Sequence, residues 1–449
     1  MPILYLDNFR GFNAKYLPLR NVNFFVGENS TGKTSILKLL GIISSPSFWR
    51  HNVFGEEKEG TSLGTFSEII SIITNKEYFE IGFIDRKKND LDKICGYKFR
   101  FIEGTNFPLV KEIRYIENGL ELQATIEEDL LKYRYILSDN IAMRSEHDEV
   151  FFKDWIESNN LINKAFKRVV PDSKSLTQII FQLQALINFE QHNSANNGEL
   201  FDSIKIGFPN ILNTMAWFAP TVASPTKTYE QQPLVFEPTG THIPSVLREI
   251  MPNPDVQKIL SKFGQDSGLF ESLIVKSPTV NKEEIMEFRE NIANGFELQF
   301  SLSTTTHQML NIVNVGYGVS QVLPLVVETI ARPDKSWIVG QQPETHLHPR
   351  AQAALGEFIY KSHVEDEQNF ILETHSDYII DRFRIKLNAS LKDKSSVKTN
   401  ISQVVFFTRS DKRNDFALVG IGSDGSYSEN QPDDFREFFF KEQLNLLRI

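Results

Sequence analysis

The run Gly27-Glu28-Asn29-Ser30-Thr31-Gly32-Lys33-Thr34 matches the pattern G-x-x-x-x-G-K-[ST] without a mismatch. It follows an apolar stretch at residues 22–26 and leads into Ser35-Ile36-Leu37-Lys38-Leu39-Leu40. The sequence therefore predicts a strand, a tight loop and a helix in that order, the context this pattern requires. Glycines let the backbone turn its N–H groups onto phosphates, and a helix N-terminus favours negative charge. Lys33 would reach the β- and γ-phosphates of a nucleoside triphosphate, and the Thr34 hydroxyl would ligate Mg²⁺. Gly27 through Ser35 is the candidate cradle.

At 449 residues the chain exceeds one ordinary domain, and two or three are expected. A net charge of −10 argues against nucleic acid coating the whole surface, while leaving room for a local basic groove. Arg86-Lys87-Lys88 and Lys164-Ala165-Phe166-Lys167-Arg168 are two short basic clusters, a pattern more often found on solvated faces. The single Cys95 forbids an internal disulfide and a cysteine-based zinc site. Met1-Pro2-Ile3-Leu4 runs straight into strand-like sequence, and no apolar stretch is long enough to span a bilayer. A cytoplasmic protein without membrane contact is expected.

Residues 1–126 read as strand-rich. Alternation at Phe79, Ile81 and Phe83, at Tyr97, Phe99 and Phe101, and at Ile113 and Tyr115 predicts an antiparallel lobe, with a hairpin turn at Asn118-Gly119. Residues 127–293 read as an insertion of helices and loops, with helical spacing at 127–137, 148–161, 175–189, 244–251 and 283–292. From 294 to 449 strand and helix alternate: strands at 337–339, 370–372 and 404–407, helices at 321–330, 350–360 and 378–384. That is the βαβ rhythm of a parallel sheet. The expected fold is α/β, a phosphate-loop domain with a mixed sheet, split by a mainly helical insertion.

Three further motifs lie in the C-terminal half. The first is Val315-Gly316-Tyr317-Gly318-Val319-Ser320-Gln321, a glycine-rich turn opening an apolar helix. The second is Trp337-Ile338-Val339-Gly340-Gln341-Gln342-Pro343-Glu344-Thr345-His346-Leu347-His348-Pro349. The third is Phe370-Ile371-Leu372-Glu373-Thr374-His375-Ser376-Asp377, a strand ending in a turn with a histidine. With the phosphate loop, and with the opening Asn8-Phe9-Arg10-Gly11-Phe12, this trio resembles the ABC-type ATPases, more narrowly the OLD/RecF-like branch labelled AAA15 or AAA21.

The resemblance implies that two chains pair head to tail around two ATP molecules, as a homodimer or within a higher oligomer. Gly316, Gly318, Ser320 and Gln321 of one copy would touch the γ-phosphate held by Lys33 of the other. A helix N-terminus preceded by glycines is a reasonable anion site. His375 would be the switch histidine on the γ-phosphate or the attacking water, and Arg10, beside Asn8 and Phe9, would lie near adenine. His346 and His348 also admit a zinc reading, but no Cys or further His stands at a metal-site spacing, and a loop at the dimer interface is preferred.

One departure matters. Mg²⁺-ATP chemistry calls for a carboxylate at the end of the 337–340 strand, followed by a residue that polarises water. The chain has Gln341 and Gln342 there. An amide offers one oxygen to Mg²⁺, brings no charge and cannot act as a base. Glu344, three residues downstream, is the nearest acid in sequence and could help place water. Gln341 fits either an engineered Glu→Gln exchange or a naturally slow hydrolyser. Both imply ATP binding with weak hydrolysis.

The leading expectation is an ATP-driven sensor or scaffold ATPase in bacterial anti-phage defence. Phe435-Arg436-Glu437-Phe438-Phe439-Phe440 follows the core too closely for a Toprim nuclease, and no acidic cluster after His375 would hold two metals. Effector activity is then expected in a separate partner protein, a nuclease being one candidate. The alternative is a RecF-like repair clamp closing on duplex DNA. A third reading is an interaction module whose nucleotide is purely structural.

Overall fold

The computed structural model describes residues 1–51, 54, 60–87, 90–105, 107, 108–117, 119–138, 148–158, 160–173, 175–194, 205–207, 215–220, 222–277, 295–302, 308–392 and 401–438. The helix expected at 283–292, Lys88 of the first basic cluster and Asn118 of the hairpin turn lie outside them. The chain forms two compact units. The first takes in Met1–Arg20, Asn29–Met215 and Thr408–Asp415, the second Asn21–Glu28, Ala216–Phe407 and Phe416–Ile449.

The first unit is organised by an eight-stranded sheet in the order β2-β1-β4-β5-β6-β7-β8-β9. Its strands are β1 (Ile3–Asp7), β2 (Lys15–Pro18), β4 (Tyr78–Lys87), β5 (Asp90–Ile102), β6 (Leu109–Glu117), β7 (Leu120–Ile126), β8 (Leu131–Leu137) and β9 (Lys167–Val169). Each neighbouring pair is antiparallel, as the alternation in residues 79–126 predicts. On β5 the aromatic Tyr97, Phe99 and Phe101 point one way and are buried. The rings of Phe48 and Trp49, from helix α2 (Pro46–His51), pack edge-on against them. The opposite face carries Lys98 and Arg100, both paired with Glu80. Helix α4 (Asp148–Glu157) adds Phe152, Trp155 and Ile156 to the cluster of Ile3, Tyr5, Ile84 and Ile116. Through Nη2, Arg114 bonds Glu121 at 2.9 Å and the Trp155 carbonyl at 2.9 Å, which pairs the buried charge, while its buried Nε has no partner among the described residues.

The helix expected at 127–137 is not formed. A turn closed by Glu127 N–H to the Leu130 carbonyl (2.8 Å) sends Leu131–Leu137 back along β7, with Leu131 opposite Ile126 and Tyr133 opposite Ala124. Leu and Lys are good helix formers, but Leu131, Tyr133 and Tyr135 also alternate, and an open sheet edge decides between the two periods. Helices α1 (Lys33–Ser44), α3 (Phe66–Ile69) and α5 (Leu176–Ser194) complete the unit.

The second unit centres on a six-stranded sheet in the order β10-β14-β15-β3-β16-β17. These are β3 (Val22–Gly27), β10 (Met215–Trp217), β14 (Trp337–Gln341), β15 (Asn369–Glu373), β16 (Ser402–Ser410) and β17 (Arg413–Ile421). β14, β15, β3 and β16 run parallel, which confirms the expected βαβ rhythm. Helices α8 (Tyr317–Ala331), α9 (Pro349–Asp366) and α10 (Asp377–Lys392) bury Val322, Val326, Leu355, Ile359, Ile379 and Phe383 in one core with Phe24, Ile338, Phe370 and Val404. A three-stranded antiparallel sheet of β11 (Ser272–Lys276), β12 (Glu297–Ser301) and β13 (Met309–Asn311) adds Phe300.

Two helices precede that small sheet, α6 (Ile243–Ile250) and α7 (Pro254–Ser267), and α11 (Asp433–Phe438) closes the described chain. The sequence reading passed over α7 despite its punctuation. Asn253 caps it by accepting from Asp255 N–H, Pro254 opens it, and Gly268 at φ 70° ends it. An antiparallel N-terminal sheet with a parallel strand–helix core makes the chain α/β with mixed sheets.

Candidate nucleotide site

The phosphate loop leaves β3 at Gly27 and enters α1 at Lys33, as the sequence predicts. Gly27 has φ +143°, and a Cβ there would stand 2.3 Å from the Phe407 carbonyl oxygen. Gly32 has φ +95°, and a Cβ would run into the Phe12 ring at 2.5 Å. Both glycines are demanded twice over, by torsion and by space. Ser30 also takes a left-handed φ of 64°, and its carbonyl accepts from Arg409. Gly32 caps α1 with no side-chain hydrogen bond, and no acidic residue sits in the first turn. That leaves a helix N-terminus suited to an anion. Thr31 and Lys33 are buried beside it.

The candidates near adenine fare differently. Asn8 is fully buried, with its amide donating to the Tyr78 carbonyl at 2.6 Å and its oxygen accepting from Thr74. Phe9 is core. Arg10 keeps a buried Nε without a partner among the described residues, while its Nη2 donates to the Leu63 carbonyl.

In the second unit, the C-terminal ends of β14, β15 and β3 lie side by side. Gln341 pairs with Glu373 in register, Glu373 pairs with Phe25, and Thr374 N–H donates to the Phe25 carbonyl at 3.0 Å. In open parallel sheets, ligands sit at this edge. Gln342, at φ 43°, donates its N–H to the Glu373 carbonyl at 2.7 Å, and His346 is also left-handed at φ 64°. Two such residues in one short loop store roughly 1 kcal/mol or more each. Glu344 Oε1 accepts from the His375 backbone N–H at 2.7 Å. Ser376 stands at the head of α10, its hydroxyl accepting from Ile379 N–H and donating to Gln352. The structure thus gathers Gln341, Gln342, Glu344 and His375 at one strand edge.

It adds a residue the sequence reading missed. Glu373, 5% exposed, shares that edge with Gln341. A parallel register between strands 32 residues apart leaves no local trace, although a buried strand ending in Glu was a usable signal.

Two orphaned atoms mark the edge. Gln341 Nε2 and Glu344 Oε2 are buried, with no hydrogen-bond partner among the described residues. A buried amide donor and a buried carboxylate oxygen left open are what a phosphate oxygen and a water would satisfy. Burial, with the Glu373 charge, pushes the Glu344 carboxyl above its ordinary value, against the bond from His375. No cluster of three His, Cys, Asp or Glu among the described residues could hold a metal.

The remaining motif opens α8. Gly316 precedes it with open space around it and no side-chain cap, and Tyr317 is 49% exposed. Ser320 turns its hydroxyl back to the Tyr317 carbonyl at 2.8 Å, and Gln321 is half-buried. Gly318 packs on the His346 carbonyl, where a Cβ would stand at 2.9 Å. Tyr317 and His346 meet edge to face with ring centroids 5.0 Å apart. His348 heads α9 as its N-cap, accepting from Arg350 N–H.

The AAA_15 family profile, described as an AAA ATPase domain, matches residues 2–380. The chain belongs to this family. As an AAA ATPase domain it carries the phosphate loop, the Gln341–Glu344 strand end and the His375 turn inside the matched span. No curated protein matches it. Among solved structures, an SMC head bound to the C-winged helix domain of ScpA has 11% identity and TM-score 0.45, covering 93% of this chain and 97% of that one. An SMC head with an extended coiled coil from Pyrococcus furiosus, bound to the C-terminal domain of ScpA, has 12% identity and TM-score 0.43, covering 100% and 99%. At these TM-scores the likeness carries no argument about this chain. No helix among the described residues is long and apolar enough to cross a membrane.

Proposed function

We propose that this AAA ATPase domain is an ATP-operated switch with slow turnover. Gly27, Glu28, Asn29, Ser30, Thr31, Gly32, Lys33, Thr34 and Ser35 hold the triphosphate, with Arg10 toward the base. Thr34 and Gln341 ligate Mg²⁺, and Gln342, Glu344 and His375 order the attacking water. The observation that carries this reading is the strand edge itself. The strand that becomes the phosphate loop has for its neighbour the strand that ends at Glu373 and turns through His375, beside the one ending in Gln341, and two buried polar atoms there lack partners among the described residues.

The uncapped, open N-terminus of α8 suits the γ-phosphate of a second copy, contacted through Gly316, Gly318, Ser320 and Gln321. ATP then joins two chains, and the joined state controls a separate effector protein in the cytoplasm. The placement in anti-phage defence rests on the motif trio. The clamp on duplex DNA finds less support, since Lys167 of the second basic cluster is engaged with Glu190.

A Gln341→Glu variant tests the switch reading. Restoring a carboxylate beside Mg²⁺ should raise steady-state phosphate release at least about tenfold, since metal-ligand charge contributes several kcal/mol to such chemistry. ATP affinity should change little. Equal turnover in parent and variant would show that Gln341 does not limit the reaction.

A further inference from the structure

We infer that Glu344 is the base that accepts the proton of the attacking water, in place of the two amides that precede it. The inference rests on the proposal that ATP is hydrolysed at this strand edge. Gln341 and Gln342 have no proton-accepting charge. The titratable groups left at the edge are Glu344, Glu373 and His375.

Glu344 is the one whose geometry suits the task. Its Oε1 accepts from the His375 backbone N–H at 2.7 Å, and the Thr374 side chain also bonds the carboxyl, so the end of the neighbouring strand fixes its orientation. Its Oε2 is buried and has no partner among the described residues. One oxygen is held and the other is left for a water. The loop carrying it is braced by Thr345 N–H to the Gln342 carbonyl (3.0 Å) and Leu347 N–H to the Glu344 carbonyl (2.9 Å). The next strand is tied by Thr374 to the β3 end from which the phosphate loop springs. Glu373, by contrast, already has interactions of its own, and its position as register partner of Gln341 places it one strand nearer β3. Burial also makes Glu344 a stronger base than a solvated carboxylate.

In the step, the water oxygen forms a bond to the γ-phosphorus as the water proton moves to Glu344 Oε2. The bond from that phosphorus to the β–γ bridging oxygen breaks, and its electron pair leaves with ADP. The products are ADP and inorganic phosphate, with the proton returned to solvent from the carboxyl group.

The test compares the full chain with Glu344→Gln, Glu344→Asp and Glu373→Gln, each in the parent and the Gln341→Glu background. ATP binding, phosphate release and unfolding midpoint are measured. Loss of a positioned base should cut turnover in Glu344→Gln by roughly 100-fold or more, with ATP affinity held within about threefold. A carboxyl whose pKa is raised by folding contributes stability at low pH, and this is lost as pH rises through the folded value. Glu344→Gln should therefore match or exceed the parent's midpoint at neutral pH, a readout separate from turnover. Glu344→Asp, which keeps the acid but withdraws it, should lose at least about tenfold. Turnover by Glu344→Gln within threefold of the parent overturns the inference, as does loss of turnover only in Glu373→Gln, or a Glu344→Gln chain that no longer binds ATP. A parent chain that binds no ATP defeats the underlying proposal instead.

Discussion

Replacing Lys33 with alanine is expected to remove measurable ATP binding while leaving the fold in place. Lys33 heads α1 directly after the left-handed Gly32 and is 3% exposed, so its ammonium acts in a poorly solvated setting. Truncating one partner of a desolvated charge pair costs about 2–5 kcal/mol, much of it from stranding the other charge. For a triphosphate, that is a loss of roughly 30- to 4,000-fold in affinity. The bare helix N-terminus would remain, and its dipole is worth about 1 kcal/mol, too little to compensate. Calorimetric titration with Mg²⁺-ATP, with circular dichroism as the control on folding, checks this. An affinity within threefold of the parent would mean the loop is not the triphosphate cradle.

The largest effect on stability should come from Gly356→Ala, and in the direction opposite to helix propensity. Gly356 lies inside α9, where Gly to Ala ordinarily stabilises by about 1 kcal/mol. Here a Cβ would stand 2.2 Å from the Ile379 carbonyl oxygen and 3.0 Å from its carbon, both backbone atoms of α10. No rotamer change relieves that. The helices must separate, in a core that holds Leu355, Ile359, Ile379 and Phe383. Overpacking of this kind costs about 1–3 kcal/mol and sometimes more. With the propensity gain subtracted, a net loss of up to about 2 kcal/mol is expected. The unfolding midpoint should drop by as much as roughly 4–8 °C, and a rise in thermal scans would refute the close contact. The β15-to-α10 turn also presents His375, so catalysis should suffer along with stability.

Much of this was legible in the chain. The phosphate loop carries its own local context, and the strand–helix alternation after residue 320 reflects burial patterns that act over a few residues. The β8 segment was misread because its residues satisfy both periods, and only pairing with β7 selects one. α7 was overlooked although its cap, proline and glycine were all in view. The site was legible as four separate motifs, and its assembly was not. The register of Gln341 with Glu373 comes from parallel pairing across a helix. The bond from His375 N–H to Glu344 joins residues 31 apart that share no pattern. Sequence supplied the donors and acceptors, while the sheet decided which of them meet.

The most direct test of the switch is the mass of the full chain in solution with Mg²⁺-ATP, with ADP and with no nucleotide, measured by light scattering. Mg²⁺-ATP should double the particle mass, ADP should not, and Lys33→Ala should show no response to either. A mass that is the same in all three conditions would contradict a pairing of chains driven by ATP.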